Sequence, residues 1–583
     1  MSPWRVSWRF SGPGRPYNPA VTTRARAEHG SRPRSPLQII PLGGLGEFGS
    51  NCTVLRHGTD LIVVDAGLLF PEEQSLGVNF VIPDMSYLEE RVSEVRGIVL
   101  THAHEDHVGA LPWLLHKVKA PVYGSDFTLG LAARKLREHG LAHERQLKRV
   151  KAGDEVSLGP FAIEFIQVTH SIPGSFGLAI KTPAGTVIHT GDFKMDQTPT
   201  DGRTFDFQSF SFHGDHGVLA LLSDSTNAEV EGFSGSERQV GDALDSVFRR
   251  AAGRIVVSTF ASNVHRIQQV VDRAVEHRRK VALLGSSMIS TAEVAADLGY
   301  LKAPPGTLID AAEAGRLAPH RVVLIAAGSQ GEPMSALSRL ALDEHKEASI
   351  EEGDVVVLSA RVIPGNEKSV SRVINHIYRR GAEVVAGGRA PMHVSGHANQ
   401  EELRIMLNLT RPRYFVPIHG ELRQLYNHAL LAEQMGLPRE RILLGESGDV
   451  IELDEHEGRL AGKVTVGRVF IDGTREEVDE VVVRDRRHIS EGGIVLAVVA
   501  IDRHTGHLDG DPQIVSRGFS VGSGDADLLR EASLTVRRSV EAASPEERAD
   551  RGVIRALIQR DLKRYFRKAL DKRPMIIPAV IET

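Results

Sequence analysis

The chain has 583 residues, room for three or four domains at roughly 150 residues each, and its 41% hydrophobic and 25% charged residues describe folded globular material. A single cysteine, Cys52, excludes an intrachain disulfide framework and a Cys-ligated zinc finger, and fits a reducing, cytoplasmic setting. Seventy Lys and Arg against 75 Asp and Glu leave a net charge of −5, so no global basic field draws the protein to nucleic acid and any such contact must be local.

Residues 1–35 carry seven arginines, one acid and scattered Pro and Gly without periodicity, which predicts a disordered basic arm. No apolar run approaches the ~18 residues of a membrane span, and the N-terminus lacks a signal-peptide core, so a soluble protein is expected. From Leu37 short strands (LQIIPL, NCTVLRHG, DLIVVDAG, RGIVLTHAH) alternate with Gly and Asp turns and read as hairpin-linked. A helical stretch (VGALPWLLHKV), a strand (APVYGS), a helix (FTLGLAARKLREHG) and the strands within DEVSLGPFAIEFIQVTH, GSFGLAIKTPAGTVIHTGDF and VLALLSDSTN follow. This alternation predicts sheets covered by helices. Beyond Asn227 the rhythm becomes strand–helix–strand through RIVVSTF, KVALLG, RVVLIAAG, DVVVLSA and EVVAGG, which predicts a parallel sheet of its own. After HVSGHA come a helix (QEELRIMLNLT), a strand (RYFVPIHG) and another helix. The part beyond about residue 470 reads as strand-rich, ending in a helix with a basic face.

Gly44, Gly46 and Gly49 satisfy GxGxxG, and Asp65 follows where a ribose-binding acid would lie. The dinucleotide fingerprint needs a helix next, whose N-terminus meets the pyrophosphate; two strands follow instead, so the glycines are read as turn and close-packing positions.

The 25 histidines concentrate in motifs. In THAHEDH, after the strand GIVL, His102 and His104 are two apart and project to one side, while Asp106 and His107 enter the next helix. Four N/O donors in six residues can seed two adjacent metals. His170, Asp192 and His419 each stand just past a predicted strand. His102, His104 and His170 for one metal, Asp106, His107 and His419 for the other, with Asp192 bridging, make a chemically complete set.

Taken together, GGLGEFGSN, VVDAG, HAHEDH, His170, TGDF and IHGE resemble the metallo-β-lactamase superfamily, and the block containing DSTN and HVSGHA resembles its β-CASP nucleases. SARVIPGNE, GSQGEPMSAL, HVSGHA and PIHGE are similar to the ribonuclease J family, over everything from about Leu37 onward. The resemblance implies an α/β fold: a metallo-β-lactamase αββα sandwich with an inserted β-CASP parallel α/β domain and a small α+β C-terminal domain. The expected division is 36–226 and 396–469 for the sandwich and linker, 227–395 for the insertion, and 470–583 for the C-terminal domain. A pair of divalent metals suits phosphodiester hydrolysis, activating water and offsetting transition-state charge. With imidazole and carboxylate donors and no thiolate, zinc is favoured and manganese is chemically open.

By the same resemblance Asp65 orients a metal-bound histidine, Asp224 stands near the metals, and His397 donates a proton to the leaving 3′-oxygen. In HVSGHA the Ser395–Gly396 turn can form a phosphate nest beside His393. Ser359 and Arg361 in SARVIPGNE join it, and the resemblance implies that these segments hold an RNA 5′-monophosphate. Ser262 and His265 are further candidates for substrate contact. In the basic helix, Ile554, Leu557, Ile558, Leu562, Tyr565 and Phe566 form an apolar stripe, so packing and dimer contact are favoured over RNA binding by its charges.

The expectation is therefore a 5′ to 3′ exoribonuclease with endonuclease activity in RNA decay and maturation, a homodimer or homotetramer, partnered by RNA and by decay proteins such as a helicase. The alternative is a DNA-end nuclease of the same superfamily, though DNA-directed members tend to have Val where this chain has His419. A small-molecule hydrolase would share HxHxDH without needing the insertion, and a non-catalytic scaffold would have lost ligands.

Overall fold

Leu37–Gly43 pairs antiparallel with Cys52–His57, which turns through Gly58 to pair antiparallel with Asp60–Val64. These coordinates, a computed structural model, describe residues 35–583 apart from 72–76, 142–145, 333, 364–365, 388–390, 474–475, 519–524 and 571–572. Residues 1–34 of the basic arm thus lie outside the described residues. No helix follows the GGLGEFG segment, as expected of a turn; a Cβ on Gly44, at φ +88°, would lie 2.3 Å from Asn51 Oδ1.

The hairpin series stops one strand earlier than the sequence suggests. Val95–Val99 joins Asp60–Val64 in parallel. Thirty residues separate Val64 from Val95, enough for the crossover that parallel pairing requires. The full sheet has eight strands, extending through Val122–Gly124 to Leu147–Arg149 on one side and through Asp449–Leu453 to Gly458–Lys463 on the other. A six-stranded sheet runs Tyr414–Ile418, Val218–Asp224, Gly185–His189, Phe176–Thr182, Phe161–Gln167, Glu155–Leu158.

Inward-facing side chains of the two sheets share one core, Leu37, Ile39, Ile62 and Leu453 against Ile163, Phe165, Leu178 and Val416. Each such side chain contributes about 1.5–3 kcal/mol of burial. The outer face of the six-stranded sheet buries Ile188, Leu221 and Phe415 with Phe210, Leu403, Met406 and Leu431 from helices. Beyond Val108, helix in VGALPWLLHKV is confined to Leu111–Lys117, set off from the preceding short helix Glu105–Val108 because Pro112 lacks the N–H that would bond back to Val108.

The chain between Val218–Asp224 and Tyr414–Ile418 builds a third sheet, all parallel, in the order Leu308–Ile309, Lys280–Leu284, Val322–Ala326, Ile255–Ser258, Val355–Leu358, Glu383–Ala386. Its strands read as unbroken apolar runs because helices cover both faces. Val257, Val323 and Val357 face Leu244, Ile267 and Val271, whereas Val256, Leu324 and Val356 face Leu337, Leu340 and Ile377. One compact unit runs to Leu69 and resumes at Pro83 through Gly467.

The second unit comprises Phe70–Ile82 and Arg468–Thr583. Its central strand, Ile494–Ile501, pairs antiparallel with Gln513–Arg517 and parallel with Met575–Glu582. The chain therefore does not end in the basic helix. MIIPAVIE was missed as a strand because its apolar run is too short to separate strand from helix by period alone. The basic helix, Arg551–Leu570, buries Ile554, Ile558, Leu562 and Phe566 at i,i+4 spacing against Val495, Val499 and Val536, with Leu557 and Tyr565 partly buried beside them. Arg555, Arg560, Lys563, Arg564, Arg567 and Lys568 are exposed. Among the described residues no helix is long and apolar enough to cross a membrane.

Candidate metal centre and adjoining cavity

Strand ends deliver most of the site. Asp65 and His419 are the first residues past Asp60–Val64 and Tyr414–Ile418; Asp224 closes Val218–Asp224; His102, His170 and Asp192 lie three residues past their strands. Asp106 and His107 sit in the short helix Glu105–Val108. Asp65 and His419 adopt φ +63° and +55°, left-handed backbone that costs a non-glycine residue of order 1–3 kcal/mol and turns each side chain sharply off its strand. Gly67 is needed nearby, since a Cβ there would lie 1.6 Å from the Asp106 carbonyl oxygen.

Two donor clusters result. His104 Nδ1 lies 3.1 Å from both His102 Nε2 and His170 Nε2, and Asp192 Oδ2 lies 3.5 and 3.9 Å from the latter two. Asp106 Oδ2 lies 3.5 Å from His107 Nε2 and 3.2 Å from His419 Nε2, and the same Asp192 oxygen lies 3.3 and 3.7 Å from these nitrogens. Within each set of four the donor atoms lie within 4.8 Å of one another. All seven sequence-predicted ligands are thus brought together, in the predicted two groups, with Asp192 common to both.

The donor set fits divalent cations. Tetrahedral ligands at about 2.0–2.1 Å stand roughly 3.3 Å apart, close to the spacings here. Burial, then the neighbouring histidines, holds His102 and His170 well below the ordinary imidazole range, and burial brings His104 down to about 4. His104 Nδ1 thus faces two imidazole nitrogens at 3.1 Å, and its single ring hydrogen can serve only one of them well, whereas a cation between the three would satisfy all. In the other cluster burial opposes charge, yet Asp192 with Asp106 and Asp65 holds His107 well above the ordinary range, and Asp192 with Asp106 and Asp224 does the same for His419. The buried carboxylates thus demand positive charge at the point where a cation would supply it.

Two buried aspartates brace the rings in the same manner. Asp65 accepts the Thr101 N–H and hydroxyl, each at 2.8 Å, and His107 Nδ1 at 2.8 Å. Asp224 accepts the Thr226 N–H at 2.9 Å, its hydroxyl at 2.7 Å, and His397 Nδ1 at 2.8 Å. A carboxylate can only accept, so each threonine hydroxyl spends its hydrogen there and its oxygen accepts from an imidazole: His102 Nδ1 at 3.0 Å for Thr101, His419 Nδ1 at 2.8 Å for Thr226. His170 Nδ1 donates to the Gly396 carbonyl at 2.7 Å. Nδ1 therefore carries a hydrogen in His102, His107, His170 and His419, and Nε2 is the nitrogen each ring turns toward the cluster. His397 is raised above the ordinary range by Asp224 and Asp192 against the effect of burial.

A cavity of about 560 Å³ is walled by Asn227, Phe233, Arg361, His393, Ser395 and Asn399, among others. Ser395 ties it to His397, since its Oγ accepts the His397 N–H at 3.0 Å and the Asn227 amide at 2.7 Å. Arg361 reaches Asn227 Oδ1 at 3.4 Å. His393 Nδ1 is buried with no hydrogen-bond partner among the described residues. Ser359 and Gly396 do not wall this cavity. The Ser359 hydroxyl accepts from Arg266 Nη1 at 2.6 Å and donates to the Met392 carbonyl at 2.7 Å. Arg266 is fully buried, with Nε on Glu237 at 2.6 Å and Nη1 on the Ser359 and Met392 carbonyls at 2.9 and 3.1 Å, and the Ser359 hydroxyl faces the same Nη1. A Cβ on Gly396 would lie 2.8 Å from His170 Cε1, so that glycine admits the metal-cluster histidine.

Residues 45–224 match the metallo-β-lactamase superfamily, 252–377 the ribonuclease J β-CASP domain, 381–442 the Zn-dependent metallo-hydrolase RNA specificity domain, and 481–583 the ribonuclease J C-terminal domain. Ribonuclease J of Thermus thermophilus is 42% identical over 563 residues, 94% of this chain and 96% of that protein. The chain belongs to the ribonuclease J family. Ribonuclease J of Corynebacterium glutamicum is 41% identical over 96% of this chain and 78% of its own length; that of Mycolicibacterium smegmatis is 42% identical over 94% and 97%. A crystal structure of a protein of unknown function from Enterococcus faecalis V583 shares the fold alone, with TM-score 0.50 and 16% identity over 72% of this chain and all of that one.

Membership of the ribonuclease J family gives a metallo-β-lactamase domain with inserted β-CASP and C-terminal domains, and a divalent-metal nuclease, and it favours RNA over DNA-end processing. The sequence reading missed three side chains that brace the site in this structure: Thr101, Thr226 and Asn227. The signal was present, since Thr101 directly precedes His102 and Thr226 and Asn227 complete DSTN. A hydroxyl beside a metal-binding motif at a strand end is a predictable partner for imidazole Nδ1. Ser262 and His265 do not wall the cavity.

Proposed function

We propose that this chain is a two-metal ribonuclease that degrades RNA 5′ to 3′ from a 5′-monophosphate end and also cuts internally, in RNA decay and maturation. The observation that carries the reading is Asp192 Oδ2 shared between two four-donor clusters, with His397 between them and a cavity bearing Arg361, His393 and Ser395. His102, His104 and His170 would hold one ion and Asp106, His107 and His419 the other, with zinc favoured by the nitrogen-rich donors and manganese compatible. When bound, the cations supply an activated water and offset charge on the pentacoordinate phosphorus.

The chain's own groups do the rest. Asp65 and Asp224, through Thr101 and Thr226, hold the ring orientations. His397 commits Nδ1 to Asp224, so Nε2 is the atom that carries a proton toward the leaving 3′-oxygen. Arg361 offers its guanidinium fork, with Ser395 and His393, to a terminal phosphate; charge-assisted bonds of this kind bind phosphate more tightly than neutral ones. Ser359 and Gly396 serve this pocket indirectly, by fixing Arg266 and His170.

The assignment of domains follows the same reading: 36–226 and 396–469, 227–395, and 470–583, with 70–82 added to the last on compactness. Exposed Val515, Ile577 and Ile581 on the C-terminal sheet support assembly into dimers or tetramers through that unit. A cytoplasmic setting, shared with RNA-decay proteins such as a helicase, suits an enzyme acting on transcripts.

Product analysis on 5′-labelled RNA tests the function. Release of labelled mononucleotide from 5′-monophosphate RNA is expected; shortening from the 3′ end, or equal action on a DNA duplex end, would overturn it.

A further inference from the structure

Phe233 is 63% exposed, yet it walls the same cavity as Arg361, His393 and Ser395. It stands in the turn Gly232–Gly235, whose two glycines lie at φ +75° and +83°. That turn is fixed from below. Glu402, 1% exposed, accepts the Ser234 N–H at 2.8 Å and the Ser234 hydroxyl at 2.7 Å, while its other contacts run to Met195 N–H at 2.9 Å and Asn399 N–H at 2.8 Å. The buried carboxylate thus fixes the turn that carries the ring at the wall of the cavity. No aromatic partner stacks on it among the described residues. The cavity, at about 560 Å³, falls within the range of small-ligand sites and exceeds what one phosphate fills.

We propose that Phe233 is the stacking platform for the terminal nucleobase of the RNA, the base attached to the phosphate that Arg361, His393 and Ser395 receive. This rests on the 5′-phosphate reading above and adds the element that recognises the nucleoside. Stacking on an aromatic face tolerates every base, because each presents a π-surface, so the platform secures the end of any transcript without selecting sequence. The glutamate-anchored turn sets the ring in place before RNA arrives, which reduces the entropy lost on binding.

The test compares exonuclease KM for one RNA in three forms: 5′-monophosphate, 5′-hydroxyl, and 5′-monophosphate with an abasic first nucleotide. The enzymes are the parent chain, Phe233→Ala and Phe233→Trp. Loss of one stacked base corresponds to about five- to a hundredfold in affinity. Phe233→Ala is expected to raise KM on the ordinary 5′-monophosphate RNA by such a factor with kcat little changed, Phe233→Trp to restore it, and the abasic substrate to cost the parent as much. On the abasic substrate Phe233→Ala should add nothing further. Independent, multiplying losses would overturn the platform, as would an unchanged KM in Phe233→Ala while the parent still prefers the 5′-monophosphate. A parent that does not distinguish 5′-monophosphate from 5′-hydroxyl overturns the pocket reading itself, and the platform with it.

Discussion

Thr226 Oγ1 stands between Asp224 and His419, donating to the carboxylate at 2.7 Å and accepting from imidazole Nδ1 at 2.8 Å. One hydroxyl thereby fixes which His419 nitrogen turns toward the cluster, at a residue whose left-handed backbone already aims the ring. Thr226→Val keeps the shape and removes both bonds. It is expected to weaken metal binding about 10–100-fold in calorimetric titration, the range for losing a group that orients a ligand, whereas Thr226→Ser stays near the parent. Indistinguishable affinities for the Val and Ser variants would show that the hydroxyl sets nothing.

Asp192 contributes the oxygen that both clusters share. Asp192→Ala, and separately His104→Ala, should therefore abolish most hydrolysis with the circular dichroism spectrum preserved, and exhaustive chelation of the parent should do the same. A metal-stripped double variant still degrading RNA at the parent rate would remove the cluster from the mechanism.

His397 can be read two ways, because Asp192, Asp224, His397 and His419 also form a compact donor group. As proton donor, its loss lowers the rate ~10²–10⁴-fold with metal content unchanged. Mass-spectrometric metal counts on His397→Ala decide: metal falling in step with rate makes it a ligand.

How much of this was legible in the sequence depended on how local the determinants are. HAHEDH carries four donors within six residues, and strand-end placement added His170, Asp192 and His419, because a strand's period fixes where its last side chain leaves the sheet. The parallel insertion was equally legible from unbroken apolar runs such as VVLIA. The bond from Ser359 to Arg266 was not legible, for a non-local reason: Arg266 lies 93 residues away and no periodicity announces its burial. The parallel pairing of Val95–Val99 and the final strand Met575–Glu582 likewise depend on partners distant in the chain.

The C-terminal unit can be tested apart from catalysis. Phe566 is fully buried in the cluster that joins Arg551–Leu570 to the central strand. Phe566→Ala should cost about 3–5 kcal/mol in that unit's urea transition, the usual range for an emptied aromatic site. Substituting the exposed Arg564 by Ala should change it by less than about 0.5 kcal/mol. A Phe566→Ala transition overlying the parent's would place the core elsewhere.

The phosphate pocket divides its residues into those that meet the ligand and those that hold others in place, and the two groups should fail differently. Arg361 and Ser395 wall the cavity; Ser359 is 1% exposed and bonded to Arg266. Charge-assisted hydrogen bonds are worth ~1.5–3 kcal/mol, so Arg361→Ala with Ser395→Ala should lower exonuclease kcat/KM on 5′-monophosphate RNA by tenfold or more. Arg361→Ala alone should keep its melting temperature, and its cutting of internal sites, which present no terminal phosphate, should be spared, whereas Ser395→Ala also removes the acceptor of the His397 N–H. Ser359→Ala instead removes the buried hydroxyl that links Arg266 Nη1 to the Met392 carbonyl and should lower the melting temperature, with both activities falling together. A Ser359→Ala protein with parental stability and a selective loss of 5′-monophosphate preference would return Ser359 to the pocket. An Arg361→Ala variant that loses internal and terminal cleavage in equal proportion would take Arg361 out of it.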